Sequence, residues 1–295
     1  MQHIVFRHFV TLLMFTLLFA SCSPNDPSEN SSLLHIQLTD SPPMVRGEFP
    51  DIEIRDIYID IRSIEMLVDE EWVMSGFQGG EYNVLHLTNG RLRQISSQWF
   101  PANKTITKIR VTFGDNSRIV NTANQAIRLI TPGEIVAENV NAKISLHTIS
   151  SIVIDLNTVF FHHADNNTFH FDSSIRAFAQ NFGFSLRGTI DRVESRPLIK
   201  ISRDGYMPLF SLPEANGMFM FIGLPAAEDT NNEWKIEITP LAEGSAFLDT
   251  TFVHTIDLTR RVNDLGQIRL HPNIISPDDD DDDDDDDEEE DDDDE

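Results

Sequence analysis

Cysteine is almost missing, with one in 295 residues. That excludes a disulfide framework within the chain and any cysteine-rich zinc or iron–sulfur site. Basic residues are scarce as well: 22 against 49 acidic ones, for a net charge of −27 and no basic cluster. Nucleic-acid binding needs lysine and arginine to neutralise phosphates, so that class is excluded. The chain has no Gly-x-Ser-x-Gly elbow, no glycine-rich phosphate loop and no His-Glu-x-x-His helix. The common nucleophile, nucleotide and zinc-hydrolase signatures are therefore missing. No segment beyond residue 20 sustains a helical period.

The charge that is there is uneven. Residues 278–295 are all Asp or Glu, so 18 of the negative charges sit in one run. The other 277 residues carry 22 basic and 31 acidic side chains, a net −9 that is ordinary for a soluble domain. Eighteen contiguous like charges have no apolar area to bury and repel one another. Residues 277–295 are expected to form a disordered acidic tail. Its carboxylates suit weak capture of divalent cations or attraction to a basic partner.

The N-terminus reads as an address. Residues 9–20 (FVTLLMFTLLFA) are apolar apart from two Thr and follow Arg7. Twelve residues are too few to span a hydrocarbon core, which needs about 20. They match the hydrophobic region of a secretory signal. The lone cysteine, Cys22, follows Ala20-Ser21 directly. Phe19-Ala20-Ser21-Cys22 resembles the bacterial lipobox, with Phe19 where Leu is usual. The resemblance implies cleavage before Cys22 and lipidation of its thiol. Ser23, where inner-membrane retention would favour Asp, implies sorting to an outer membrane. Residues 22–32 are then a lipidated polar tether behind a signal peptide at 1–21.

Short alternating runs dominate the rest and predict strands. Leu34, Ile36 and Leu38 share one face, as do Ile57, Ile59 and Ile61. The phase then shifts to Ile64 and Met66, which predicts a bulge or a bend. Further sets are Ile109, Val111, Phe113 and Ile152, Ile154, Leu156. Turn signals at Gly79-Gly80, Asn89-Gly90, Gly114-Asp115-Asn116 and Pro132-Gly133 separate them. A short helix over 91–99 is the one helical expectation. A second set of strands begins near Phe184: Leu186–Ile190, Leu198–Ile201, Met218–Phe221 and Trp234–Ile238. Trp234, Ile236 and Ile238 should face a core, with Lys235 and Glu237 in water. The fold class expected is all-β, two β-sandwich domains in tandem.

Four runs in the first half keep order and spacing: Leu38–Pro42, Ile57–Ile61, Leu85–Gly90 and Ile109–Asn116. Together they resemble the domain of unknown function 4382 (DUF4382) of Bacteroidetes-type lipoproteins. The resemblance assigns residues 33–181 to such a domain and implies a secreted, lipid-anchored β fold with no established activity. Leu186–Ile190 and Asn216–Pro225 resemble carboxypeptidase-regulatory-like or transthyretin-like sandwiches, which assigns residues 182–276. Such folds present ligands or support structure.

Candidate chemistry is thin. His162, His163 and His170 lie close to Asp165 and Asp172, and in an extended segment His163 and Asp165 share a face. The plainer reading is a polar hairpin tip around residues 165–168. Asp40, Asp60, Asp115 and Asp155 lie at or near strand ends, where Asp commonly caps turn amides. No catalytic residue, metal or cofactor is predicted; the residues nearest to metal chemistry are His163, Asp165, Asp40 and Asp115. Trp72, Trp99 and Tyr82 offer ring faces to sugars, though such residues are more often core. The sequence thus predicts an outer-membrane-anchored surface lipoprotein, non-enzymatic, that binds or presents a protein or glycan ligand. The alternative is a fimbrial or adhesin-type structural subunit.

Overall fold

The computed structural model describes residues 29–42, 44–46, 54–163, 167–172, 174–226, 232–242 and 245–273. Its strands are numbered in chain order. Among the described residues there is no α-helix, only two 3-10 turns at Val84–Leu87 and Val193–Ser195. Among the described residues no helix is long and apolar enough to cross a membrane.

The first half packs two sheets face to face. One has four strands in the order β15 (Arg176–Ala179), β12 (Ile149–Asp155), β1 (Ser31–Thr39), β6 (Arg93–Pro101). Strand β1 runs parallel to β12 and antiparallel to β6. The opposing sheet has eleven strands. Its main path is β10 (Glu134–Ala137), β7 (Thr105–Phe113), β3 (Ile54–Val68), β8 (Arg118–Asn121), β9 (Ala126–Ile130), β14 (Thr168–Phe171), β13 (Val159–His163), β2 (Met44–Arg46). Strands β4 (Glu71–Met74) and β5 (Gly80–Asn83) pair with β3, and β11 (Ala142–Lys143) with β7.

The core between these sheets follows from the period of two. Leu34, Ile36 and Leu38 of β1 and Ile152 and Ile154 of β12 meet Ile57, Ile59, Ile61, Ile64 and Met66 of β3, all buried. Each such side chain contributes about 1.5–3 kcal/mol of transfer free energy. The phase shift along β3 is a bulge: Ile61 pairs with Phe113 and Ser63 with Thr112, leaving the exposed Arg62 between them. One extra residue returns Ile64 and Met66 to the face of Ile57, Ile59 and Ile61. The expected helix over 91–99 is absent; β6 occupies that stretch instead, paired along β1.

The second half forms another two-layer arrangement. Three strands run in the order β19 (Met218–Leu224), β16 (Phe184–Ile190), β22 (Val262–Ile268). Four run in the order β18 (Tyr206–Ser211), β17 (Pro197–Arg203), β20 (Glu233–Pro240), β21 (Thr250–Thr255). A separate cluster fills the space between them, including Leu186, Ile199, Ile201, Phe219, Phe221, Trp234, Ile236 and Ile238. On β20 the expected alternation holds, with Trp234, Ile236 and Ile238 inside and Lys235 outside.

Polar contacts cross between the halves. Arg176 donates from Nη2 to the Ile222 carbonyl at 2.8 Å and from Nη1 to the Gly223 carbonyl at 3.1 Å. Arg91 pairs with Glu214 at 2.6 Å, and Arg261 donates to the Gln180 carbonyl at 2.5 Å. Gly223 (φ 65°) lies against the Phe178 ring, where a Cβ would overlap it.

Candidate functional site

Between the halves lies a cleft of about 960 Å³. One wall comes from Asn139, Asn141 and the β15 segment Arg176–Phe178, the other from Arg203–Met207 with Gly223, Pro225 and Ala226. The floor is apolar: Trp234 is 1% exposed, and Phe178 and Leu209 are buried. The rim keeps ring faces in water, with Tyr206 39% and Phe182 49% exposed. Local sequence explains the geometry. Asp204-Gly205 is the turn between β17 and β18, Gly205 takes φ 78°, and the turn carries Arg203 and Tyr206 to the opening. Arg203 lies 5.1 Å from the Tyr206 ring centre and 6.0 Å from that of Trp234, within cation–π range. The Trp234 indole N–H is buried with no hydrogen-bond partner among the described residues. The lining contains no His, Cys or Ser. Its carboxylates, Glu138 and Asp204, are exposed on the rim.

Arg176 also reaches beneath the cleft. Its Nη2 lies 2.7 Å and its Nε 2.8 Å from Asp155 Oδ2, and Asp155 is buried. The strands impose this pairing, because Asp155 and Arg176 are cross-strand partners on β12 and β15. Asp40, just past the end of β1, is buried as well. Its carboxyl accepts the Thr158 amide at 3.2 Å and the Thr158 hydroxyl at 2.9 Å. Burial holds its pKa well above the usual carboxylate value, and the charge of Asp155 adds to that against the Thr158 hydrogen bonds. Asp40 thus caps the amide of Thr158, 118 residues along the chain, rather than one in its own turn. It does so in the interior rather than in an open oxygen-rich loop.

The other sequence candidates are scattered. Asp115 is exposed, 3.7 Å from Arg62. Asp60 accepts the Asn116 amide at 3.1 Å, and a Cβ on Gly114 would overlap its carboxylate. His163 and His170 meet across the β13–β14 hairpin with ring centres 4.2 Å apart and ring planes tilted by 53°. The His170 pKa is held below the usual imidazole value by burial, then by the His163 charge. His162 points to the opposite face, its ring 4.8 Å from the buried Phe169. Asp165 and Cys22 lie outside the described residues. Among the described residues no three His, Cys, Asp or Glu side chains gather in a group able to hold a metal. Tyr82 is core, Trp72 lies under the Arg110 guanidinium at 4.0 Å, and Trp99 is 47% exposed.

Sequence reasoning passed over Arg176, Phe182, Arg203 and Tyr206. The signal for two of them was present: Asp-Gly between alternating runs marks a hairpin, and its flanking residues stand at the tip.

No family model matches the chain, and no curated protein matches it in sequence. Among solved structures, the major pilin subunit BcpA of Bacillus cereus is 10% identical, over 82% of this chain and 70% of that one, with a TM-score of 0.24. The Bacillus anthracis TIE protein is 9% identical over 81% of this chain and 34% of its own, also with a TM-score of 0.24. A major pilin (T-13) of Streptococcus pyogenes is 8% identical over 83% of this chain and all of its own length, with a TM-score of 0.18. Likeness at this level identifies neither a family nor a function.

Proposed function

We propose that the chain is a lipid-anchored surface protein of a bacterial outer membrane. Its two β modules form a non-enzymatic binding unit for a protein or glycan ligand held in the cleft between them. The cleft carries the binding part of this reading. Its volume of about 960 Å³ lies within the roughly 300–1,000 Å³ usual for ligand sites, and domain junctions are common places for them. An apolar floor with a few polar side chains on the rim suits recognition, and the lining holds no Ser, Cys or His. The anchoring part rests on the apolar run 9–20 and the lone Cys22. Assignment of residues 33–181 to DUF4382 and of 182–276 to a carboxypeptidase-regulatory-like sandwich belongs to the same proposal.

A ligand that binds only the folded state raises its melting temperature. The mature protein is therefore screened by thermal shift against panels of oligosaccharides and short peptides. At least one compound should stabilise the parent protein, and Tyr206→Ala or Arg203→Ala should remove the shift. No shift with any compound, or a shift that survives both substitutions, counts against the cleft.

A further inference from the structure

The outer face of the four-stranded sheet is covered at one end and bare at the other. Leu34, Ile36 and Leu38 face the core, so Leu33, His35 and Gln37 of β1 face outward. Cross-strand partners share a face. At the end where β1 begins, Leu33 pairs with Trp99 of β6 on one side and with Ile149 of β12 on the other. These three form an apolar row across neighbouring strands, with Trp99 47% and Ile149 66% exposed. Further along the same face Val153 pairs with Phe178, and both are buried. The second module covers that end, since Phe178 lies against Gly223 and Gln180 is held by Arg261. Nothing among the described residues covers the row at Trp99.

The bare end is where the chain arrives from Cys22. Seven residue steps separate Cys22 from Glu29, the first described residue. Seven steps reach at most about 25 Å, so a membrane holding Cys22 is never far from the start of β1. The turn after β6 is tied to the same place, with the Ala102 amide donating to the Asn30 carbonyl at 2.9 Å. Tryptophan is enriched at the boundary between headgroups and acyl chains, where its body is apolar and its N–H finds water. A net charge of −27 argues against anionic lipid and for a zwitterionic surface.

We propose that the Leu33–Trp99–Ile149 row is a membrane-contacting edge, seated at the headgroup–acyl boundary of the bilayer that anchors Cys22. The proposal rests on reading Cys22 as the anchor. It sets the molecule's orientation: the start of β1 lies against lipid, and the second module covers the other end of this face.

The test avoids cellular lipidation by using the lone thiol. The mature chain, residues 22–295, is coupled through Cys22 to a maleimide lipid in phosphatidylcholine vesicles. Half of the vesicles carry bromine on the acyl chains near the headgroups. The chain's three tryptophans are Trp72, Trp99 and Trp234, so Trp99→Phe isolates the one in question while keeping an aromatic ring. Brominated lipid should quench the emission of the coupled parent protein, and Trp99→Phe should abolish that loss. No quenching, or quenching unchanged in Trp99→Phe, overturns the proposal. A dimer of uncoupled protein in sedimentation that Trp99→Phe dissolves also overturns it, by giving the row to a second copy. Quenching in the coupled protein, together with no acyl chain on Cys22 in cells, supports the edge and overturns the anchor alone.

Discussion

Asp40 and Asp155 stand side by side at the ends of parallel strands, and the structure treats them differently. Asp155 is ion-paired to Arg176. Asp40 has no cation beside it among the described residues; burial, and then the charge of Asp155, raise its pKa well above 3.8 against the hydrogen bonds from Thr158 and the Ser41 backbone. Below 3.8 both folded and unfolded chains hold the Asp40 proton. Between 3.8 and the raised value the folded chain keeps it and the unfolded chain loses it. Stability contributed at this position therefore falls as pH rises through that window and levels off above it. Asp40→Asn keeps an acceptor for Thr158 and removes the titration. Urea unfolding over a pH series should show the parent losing ground to Asp40→Asn as pH rises from about 4, with equal slopes above the window. A parent that gains stability relative to the variant over that range contradicts the assignment. Arg176→Ala leaves Asp155 buried without its partner, which costs about 3 kcal/mol or more. Adding Asp155→Asn should recover part of the loss in chemical unfolding.

At the scale of elements, strands with one buried face were readable because a period of two leaves a clear trace. The phase shift between Ile61 and Ile64 marks the stretch in which the structure has its bulge, at Arg62. Strand β6 was misread for a physical reason. It is an edge strand whose buried residues, Ser96 and Phe100, are four apart. Every second inward position of a strand has the same spacing as one turn of helix, and pairing to β1 decides between them. The site was less legible than the fold. Arg176, Phe182 and Tyr206 are drawn together only when two modules meet, and a single sequence carries no trace of that meeting. Gly223 bears on it directly, because φ 65° and the Phe178 ring both exclude a side chain there. Gly223→Ala should open the contact between modules. Limited proteolysis should then cut faster around residues 180–185, where Phe182 is exposed. Cleavage at the parent rate would show that this contact does not hold the halves together.

For the whole molecule, the proposed membrane orientation draws on two hydrophobic clusters, the apolar row beside the start of β1 and the acidic run. Residues 278–295 lie outside the described residues, and their composition alone predicts their behaviour. Deleting them should leave the melting temperature nearly unchanged and remove most of the calcium uptake read by calorimetry. Early unfolding of the truncated protein would mean that the tail packs on the modules, and retained calcium would place the ions in the folded part. The proposed anchor at Cys22 is tested most directly by metabolic labelling with a fatty-acid analogue, comparing the parent with Cys22→Ala in the native host. Label is expected on the parent and none on Cys22→Ala, whereas equal labelling of both, or of neither, contradicts the anchor.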